Sequence, residues 1–169
     1  MSRYRRVYVQ GGKYFFTLVT RERKKILTKP ESVKRLRTAF TVVKKTHPFQ
    51  LEDIVILPDH LHFIMQLPQG DNDFSTRIRL IKSYFSRGIK KHNADVIWQN
   101  RFWEHMVRHD RDHRNCKNYL YYNPVKHGYV QRVRDWRYSS FIKAVSKKQY
   151  PINWASVHGD DFVPELGYE

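Results

Sequence analysis

Apolar residues recur along this chain with two different periods. Tyr14-Phe-Phe-Thr-Leu-Val-Thr20 is aromatic and β-branched, follows Gly11-Gly12, and predicts a strand. Val33, Leu36, Phe40 and Val43 then repeat at helical intervals. Thr28 and Glu31 have capping-box spacing there, Pro30 sits in the first turn, and His47-Pro48 forms the stop. Residues 49–57 predict a second strand ending in Ile54-Val-Ile-Leu57, a continuous run that suits a central strand buried on both faces. Pro58-Asp59 turns the chain, and His60-Leu-His-Phe-Ile-Met-Gln-Leu67 returns as a third strand. Phe74, Ile78, Ile81, Phe85 and Ile89 make the apolar stripe of a second helix, with Arg77, Arg79, Lys82, Arg87 and Lys90 around it. Residues 101–108 predict a fourth strand, and Asp110 caps a third helix running to Asn123-Pro124. The order β-α-β-β-α-β is that of a ferredoxin-like split βαβ fold, α+β in class. It is an antiparallel sheet with two helices on one face, here followed by a C-terminal extension.

Composition bounds the function. The 169 residues suit one domain, and 40% hydrophobic with 15% aromatic residues argue for a packed core. The single Cys116 excludes an internal disulfide and fits a reducing cytoplasm. No apolar run reaches the ~20 residues of a membrane helix, so a soluble protein is expected. The net charge of +16 points to a polyanion partner, with nucleic acid the favoured class. All 32 basic residues precede position 150, whereas the last twenty residues carry Asp160, Asp161, Glu165 and Glu169. This asymmetry suggests that the tail covers part of a basic face and gates entry to it.

Candidate chemistry centres on His60 and His62. Two residues apart on a strand, they project from one face while Leu61 and Phe63 project from the other. Such a pair is half of a metal site, or equally two hydrogen-bonded surface histidines. Tyr119 and Asn123 lie one helical turn apart, so a phenol and a carboxamide oxygen share one face. An aromatic helix packed on the sheet, with Asn123 capping it, would give the same pattern. His105, His109 and His113 have helical spacing, but a helix starting at Asp110 leaves no one face holding all three. Cys116 is read as a small packed side chain.

With these residues in view, the chain resembles the HUH-type single-tyrosine transposases, in their REP-associated tyrosine transposase branch. The resemblance rests on Leu57-Pro-Asp-His-Leu-His62, Tyr119-x-x-x-Asn123-Pro-Val-Lys-His-Gly128 and Asp135-Trp-Arg-Tyr-Ser-Ser140. Tyr4-Arg-Arg6, Gly11-Gly12 and Arg101-Phe-Trp-Glu-His105 also fit, and the likeness runs to about residue 154. It implies a catalytic domain over residues 1–130, with a C-terminal extension over 131–169 packed on it. It further implies Mg2+ or Mn2+ at His60 and His62 with Asn123 as third ligand, and no organic cofactor. Tyr119 would be the nucleophile that cuts single-stranded DNA beside a palindromic hairpin and keeps a 5′-phosphotyrosyl link. A monomer is expected, with a dimer sharing active sites as the alternative. Two positions depart from the family pattern: Asn123 stands where mobile relatives often have Gln, and Arg137 where the family has Pro.

A phenol of pKa about 10 is a poor nucleophile, and a metal on the scissile phosphate would compensate. Tyr121 points about 200° away from Tyr119 on the helix, and Tyr122 adjoins Asn123, which leaves Tyr119 as the choice. For DNA contact, Tyr4, Arg5 and Arg6 form a basic-aromatic arm, while Arg77, Lys82, Arg108, Arg111, Arg114 and Lys117 are candidates for phosphates. Two alternatives stay open: a non-catalytic ferredoxin-like nucleic-acid binder, and a nuclease that uses water and forms no adduct.

Overall fold

The computed structural model describes residues 6–89 and 96–155. Its strands are β1 (Lys13–Val19), β2 (Gln50–Ile56), β3 (His60–Gln66) and β4 (Trp103–Met106), and its helices are α1 (Pro30–Thr46), α2 (Phe74–Arg87), α3 (Asp110–Lys126) and α4 (Phe141–Ser146). The sheet order is β2-β3-β1-β4 with every neighbouring pair antiparallel, which is the split βαβ arrangement expected from the element order.

Strand alternation divides the side chains between two cores. On one face Phe16, Leu18, Leu61, Phe63 and Met65 pack against Leu36, Phe40 and Val43 of α1 and Phe74, Ile78 and Phe85 of α2. On the other, Phe15, Val55 and Ile64 pack against Cys116, Tyr119, Leu120 and Tyr121 of α3 and Val133, Phe141 and Ala144 beyond it. The third helix thus covers the face that the first two leave open, and the extension up to residue 155 shares its core.

Four local expectations change. Thr28 and Glu31 form no capping box: α1 has Lys29 at its N-cap with no side-chain bond, and Pro30 simply fills the first turn. β2 is an edge strand and not a central one. Its apolar run is buried because α1 and α3 flank it, and because Ile56 N–H donates to Tyr138 O (2.8 Å) and Ser140 N–H to Ile54 O (2.9 Å), which closes the edge. Arg137, beside this closing segment, stays exposed with its guanidinium 5.0 Å from the Tyr138 ring centroid. Helix α3 does not stop at Pro124 but continues to Lys126, and its N-cap is His109, whose Nδ1 accepts from Asp112 N–H (3.2 Å).

Candidate active site

The start of β3, just after the Pro58-Asp59 turn, carries His60 and His62 side by side, facing α3 with ring centroids 5.0 Å apart. They are 2% and 1% exposed, so each must have its polar atoms met inside the protein. At the Nδ1 end this is so. His60 Nδ1–H donates to Asp59 Oδ1 (2.7 Å), and His62 Nδ1 is 2.8 Å from Thr17 Oγ1, the residue paired with it across β1–β3. At the Nε2 end it is not. His62 Nε2 is buried with no hydrogen-bond partner, and His60 Nε2 lies 3.3 Å from Asn123 Oδ1.

With Nδ1–H committed to Asp59, His60 Nε2 is a lone-pair acceptor beside the Asn123 carboxamide, whose Nδ2 is buried with no hydrogen-bond partner. His60 Nε2, His62 Nε2 and the Asn123 side chain thus converge in a buried pocket with hydrogen-bonding capacity left over. The donor set and the anchored Nδ1 atoms are those of a divalent-metal site, so the residues fit the metal that the resemblance implies. Burial, with the neighbouring His60 second, holds His62 well below its ordinary pKa, the neutral form that coordination requires. Asp59 is pushed up by burial, but His60 and then Arg23 outweigh this and keep it an anionic anchor.

Tyr119 completes the group. Its ring centroid is 5.5 Å from that of His62, and it is 4% exposed. Lys126 Nζ lies 4.9 Å from the ring centroid and makes a long 3.4 Å contact to the phenol oxygen. His127, at the helix end, stands 5.0 Å from the His60 ring. Asn123 reaches the histidines despite its shorter side chain. Tyr121 turns the other way: its hydroxyl donates to Asp53 Oδ1, and burial, then the Asp53 charge, drive its pKa far up. It is a structural tyrosine.

The expected DNA-contact residues separate into two groups. Arg108, Arg111 and Arg114 are exposed around the start of α3. Arg77 is a correction: it is 2% exposed, and its guanidinium donates to Asp71, Pro48 O and Asp73 O. Its place three residues after Phe74 puts it beside the apolar stripe, and that spacing was the missed signal. Lys117 ion-pairs with buried Asp53 (3.2 Å) and donates to Gln149 Oε1 (2.9 Å). Lys82 donates to Gln99 O (2.7 Å), while Arg6 pairs with Glu104 (3.3 Å) and lies over Phe102. Tyr4, Arg5 and the acidic tail lie outside the described residues.

The three spaced histidines do three separate jobs: His105 bonds Asp112, His109 caps α3, and His113 places Nε2 2.8 Å from Glu52 Oε2. Asp59, Thr17, Lys126 and His127 escaped the sequence reading. Asp59, Lys126 and His127 sit inside the motifs that carry the resemblance, but Thr17 is found only from the pairing register.

Comparison with known proteins places the chain in a family. Residues 8–120 match the family model "Transposase IS200 like". The REP-associated tyrosine transposase of Escherichia coli (strain K12) is 46% identical over 155 residues, covering 92% of each chain. A Haemophilus influenzae relative is 43% identical over 166 residues, covering 91% of this chain and 93% of its own. A solved structure of a REP-associated tyrosine transposase bound to a REP hairpin superposes with a TM-score of 0.84 at 44% identity, covering 95% of this chain and 96% of that one. Among the described residues no helix is long and apolar enough to cross a membrane. Sequence and fold together make this chain a member of the IS200-like transposases, in their REP-associated tyrosine transposase branch.

Proposed function

We propose that this chain cuts and rejoins single-stranded DNA beside a palindromic hairpin, with Tyr119 as nucleophile and His60, His62 and Asn123 holding Mg2+ or Mn2+. The observation that carries this is the convergence of two Nδ1-anchored imidazoles and the Asn123 carbonyl next to the Tyr119 ring. The relative solved with a REP hairpin supports DNA as partner, and family membership supports a divalent metal. When bound, the cation would withdraw charge from the scissile phosphate and align it. The Tyr119 oxygen then attacks phosphorus, the bond to the 3′ oxygen breaks, and the phenol proton passes in net terms to that leaving oxygen, which is released as a 3′-hydroxyl. The new 5′-phosphotyrosyl bond conserves the phosphodiester energy, so that hydroxyl can later rejoin. Lys126 places Nζ 3.4 Å from the phenol oxygen, and Asp59 and Thr17 hold the two imidazoles in register.

The test is a denaturing gel with labelled hairpin oligonucleotides, with Mg2+, Mn2+ or EDTA. Wild type should give a denaturant-resistant protein–DNA adduct with metal only, and Tyr119→Phe should give none. Cleavage without adduct would mean a hydrolytic nuclease, and tight binding with neither would mean a non-catalytic binder.

A further inference from the structure

A second group of metal-ligand atoms lies at the other end of α3. His105 on β4 faces α3, and Asp112 and Cys116 stand one turn apart on the helix. Among the described residues these three form the one His/Cys/Asp/Glu group whose ligand atoms all lie within 4.8 Å of one another. His105 Nε2 bonds both Asp112 oxygens (2.9 and 3.0 Å), and Asp112 also accepts from Arg108 N–H (2.9 Å), so the carboxylate is fixed in orientation. Trp103 stacks on His105 with 7° between the rings, which fixes the imidazole as well. Cys116 is fully buried, whereas the side chains of His105 and Asp112 are 28% and 14% exposed, so the group opens to solvent on one side.

The geometry points to a second, structural metal site, in which His105, Asp112 and Cys116 bind a borderline-soft divalent ion such as Zn2+ and water takes the fourth position. Ligand atoms around tetrahedral zinc, with bonds of about 2.0–2.3 Å, sit roughly 3.3–3.5 Å apart, so the group closes on an ion by small side-chain rotations. Mixed nitrogen, oxygen and sulfur donors select zinc or cobalt over magnesium, whereas the donors at His60, His62 and Asn123 include no sulfur. Binding replaces the His105–Asp112 hydrogen bond, leaves the His105 proton on Nδ1 and not on Nε2, and releases the Cys116 thiol proton to solvent. The ion would fasten β4 to the first turns of α3, one turn ahead of Tyr119, and so fix the helix that presents the nucleophile.

Cobalt titration of the full chain tests this, because Cys116 is the one cysteine in 169 residues and any thiolate-to-cobalt charge-transfer band reports on it alone. Wild type should develop that band, saturate at one ion per thiol, and lose it to Zn2+. Cys116→Ser should show no band. His105→Gln, which can still bond Asp112, should weaken binding by more than the roughly 10–100-fold typical of an outer-sphere partner. Zn2+ should also raise the thermal midpoint of wild type by more than it raises that of His105→Gln. No band in folded wild type would overturn the proposal. So would a band that survives both His105→Gln and Asp112→Asn, since the thiol would then bind metal by itself.

Discussion

Tyr119 and Tyr121 stand two residues apart on one helix, yet their hydroxyls meet opposite surroundings. Tyr121 donates to Asp53, a carboxylate that also receives Lys117 and the Ser140 hydroxyl inside the second core. Tyr119 faces His62 and Lys126 at the candidate site. Removing the Tyr121 hydroxyl leaves a buried carboxylate short of one donor, a cost of about 1–3 kcal/mol. Tyr121→Phe should therefore lower the unfolding free energy in urea by that much while still forming the DNA adduct. Tyr119→Phe should keep that free energy within about 1 kcal/mol of wild type and lose the adduct. Loss of the adduct in Tyr121→Phe at a permissive temperature would put the nucleophile in doubt.

Elements were legible where periodicity alone determined them. All four strands, the order of the elements and the facing of His60 and His62 follow from alternation and spacing, and the structure agrees on each. What the sequence did not carry was long-range pairing. Nothing local in Ile54-Val-Ile-Leu57 tells a central strand from an edge strand that a segment eighty residues later will close. That closing segment makes the bulge between Leu51 and Asp53 tolerable, because the Ser140 hydroxyl accepts from Ile54 N–H (2.9 Å) and bonds Asp53. Ser140→Ala should strand that amide and cost about 1–3 kcal/mol in chemical denaturation, with Ser140→Thr closer to wild type. An Ala variant as stable as wild type would mean that water can replace the hydroxyl.

Across the whole molecule, charge acts on stability and on binding in ways that can be measured apart. Arg77 and the Asp73 N–H hold Asp71 below the usual carboxylate range, and the Thr76 N–H does the same for Asp73. Burial pushes Glu52 up, but His113 and Lys13 bring it lower. Groups depressed in the folded state stabilise it above their unfolded pKa of about 4, and that contribution is lost as pH falls through the folded values. Thermal midpoints should accordingly fall as pH drops below about 4. Binding depends on other residues. Each phosphate neutralised adds about 0.7–0.9 to the slope of log affinity against log salt. Arg108, Arg111 and Arg114 are exposed around the start of α3, whereas Arg77 is spent inside the fold. Hairpin affinity should fall steeply with salt. The pair Arg111→Gln and Arg114→Gln should reduce the slope by about 1–2 with the thermal midpoint unchanged. Arg77→Gln should do the reverse, keeping the slope while lowering the midpoint, because two backbone carbonyls and Asp71 lose their donor. If Arg77→Gln instead reduced the slope in folded protein, the guanidinium would have to leave its buried site when DNA binds.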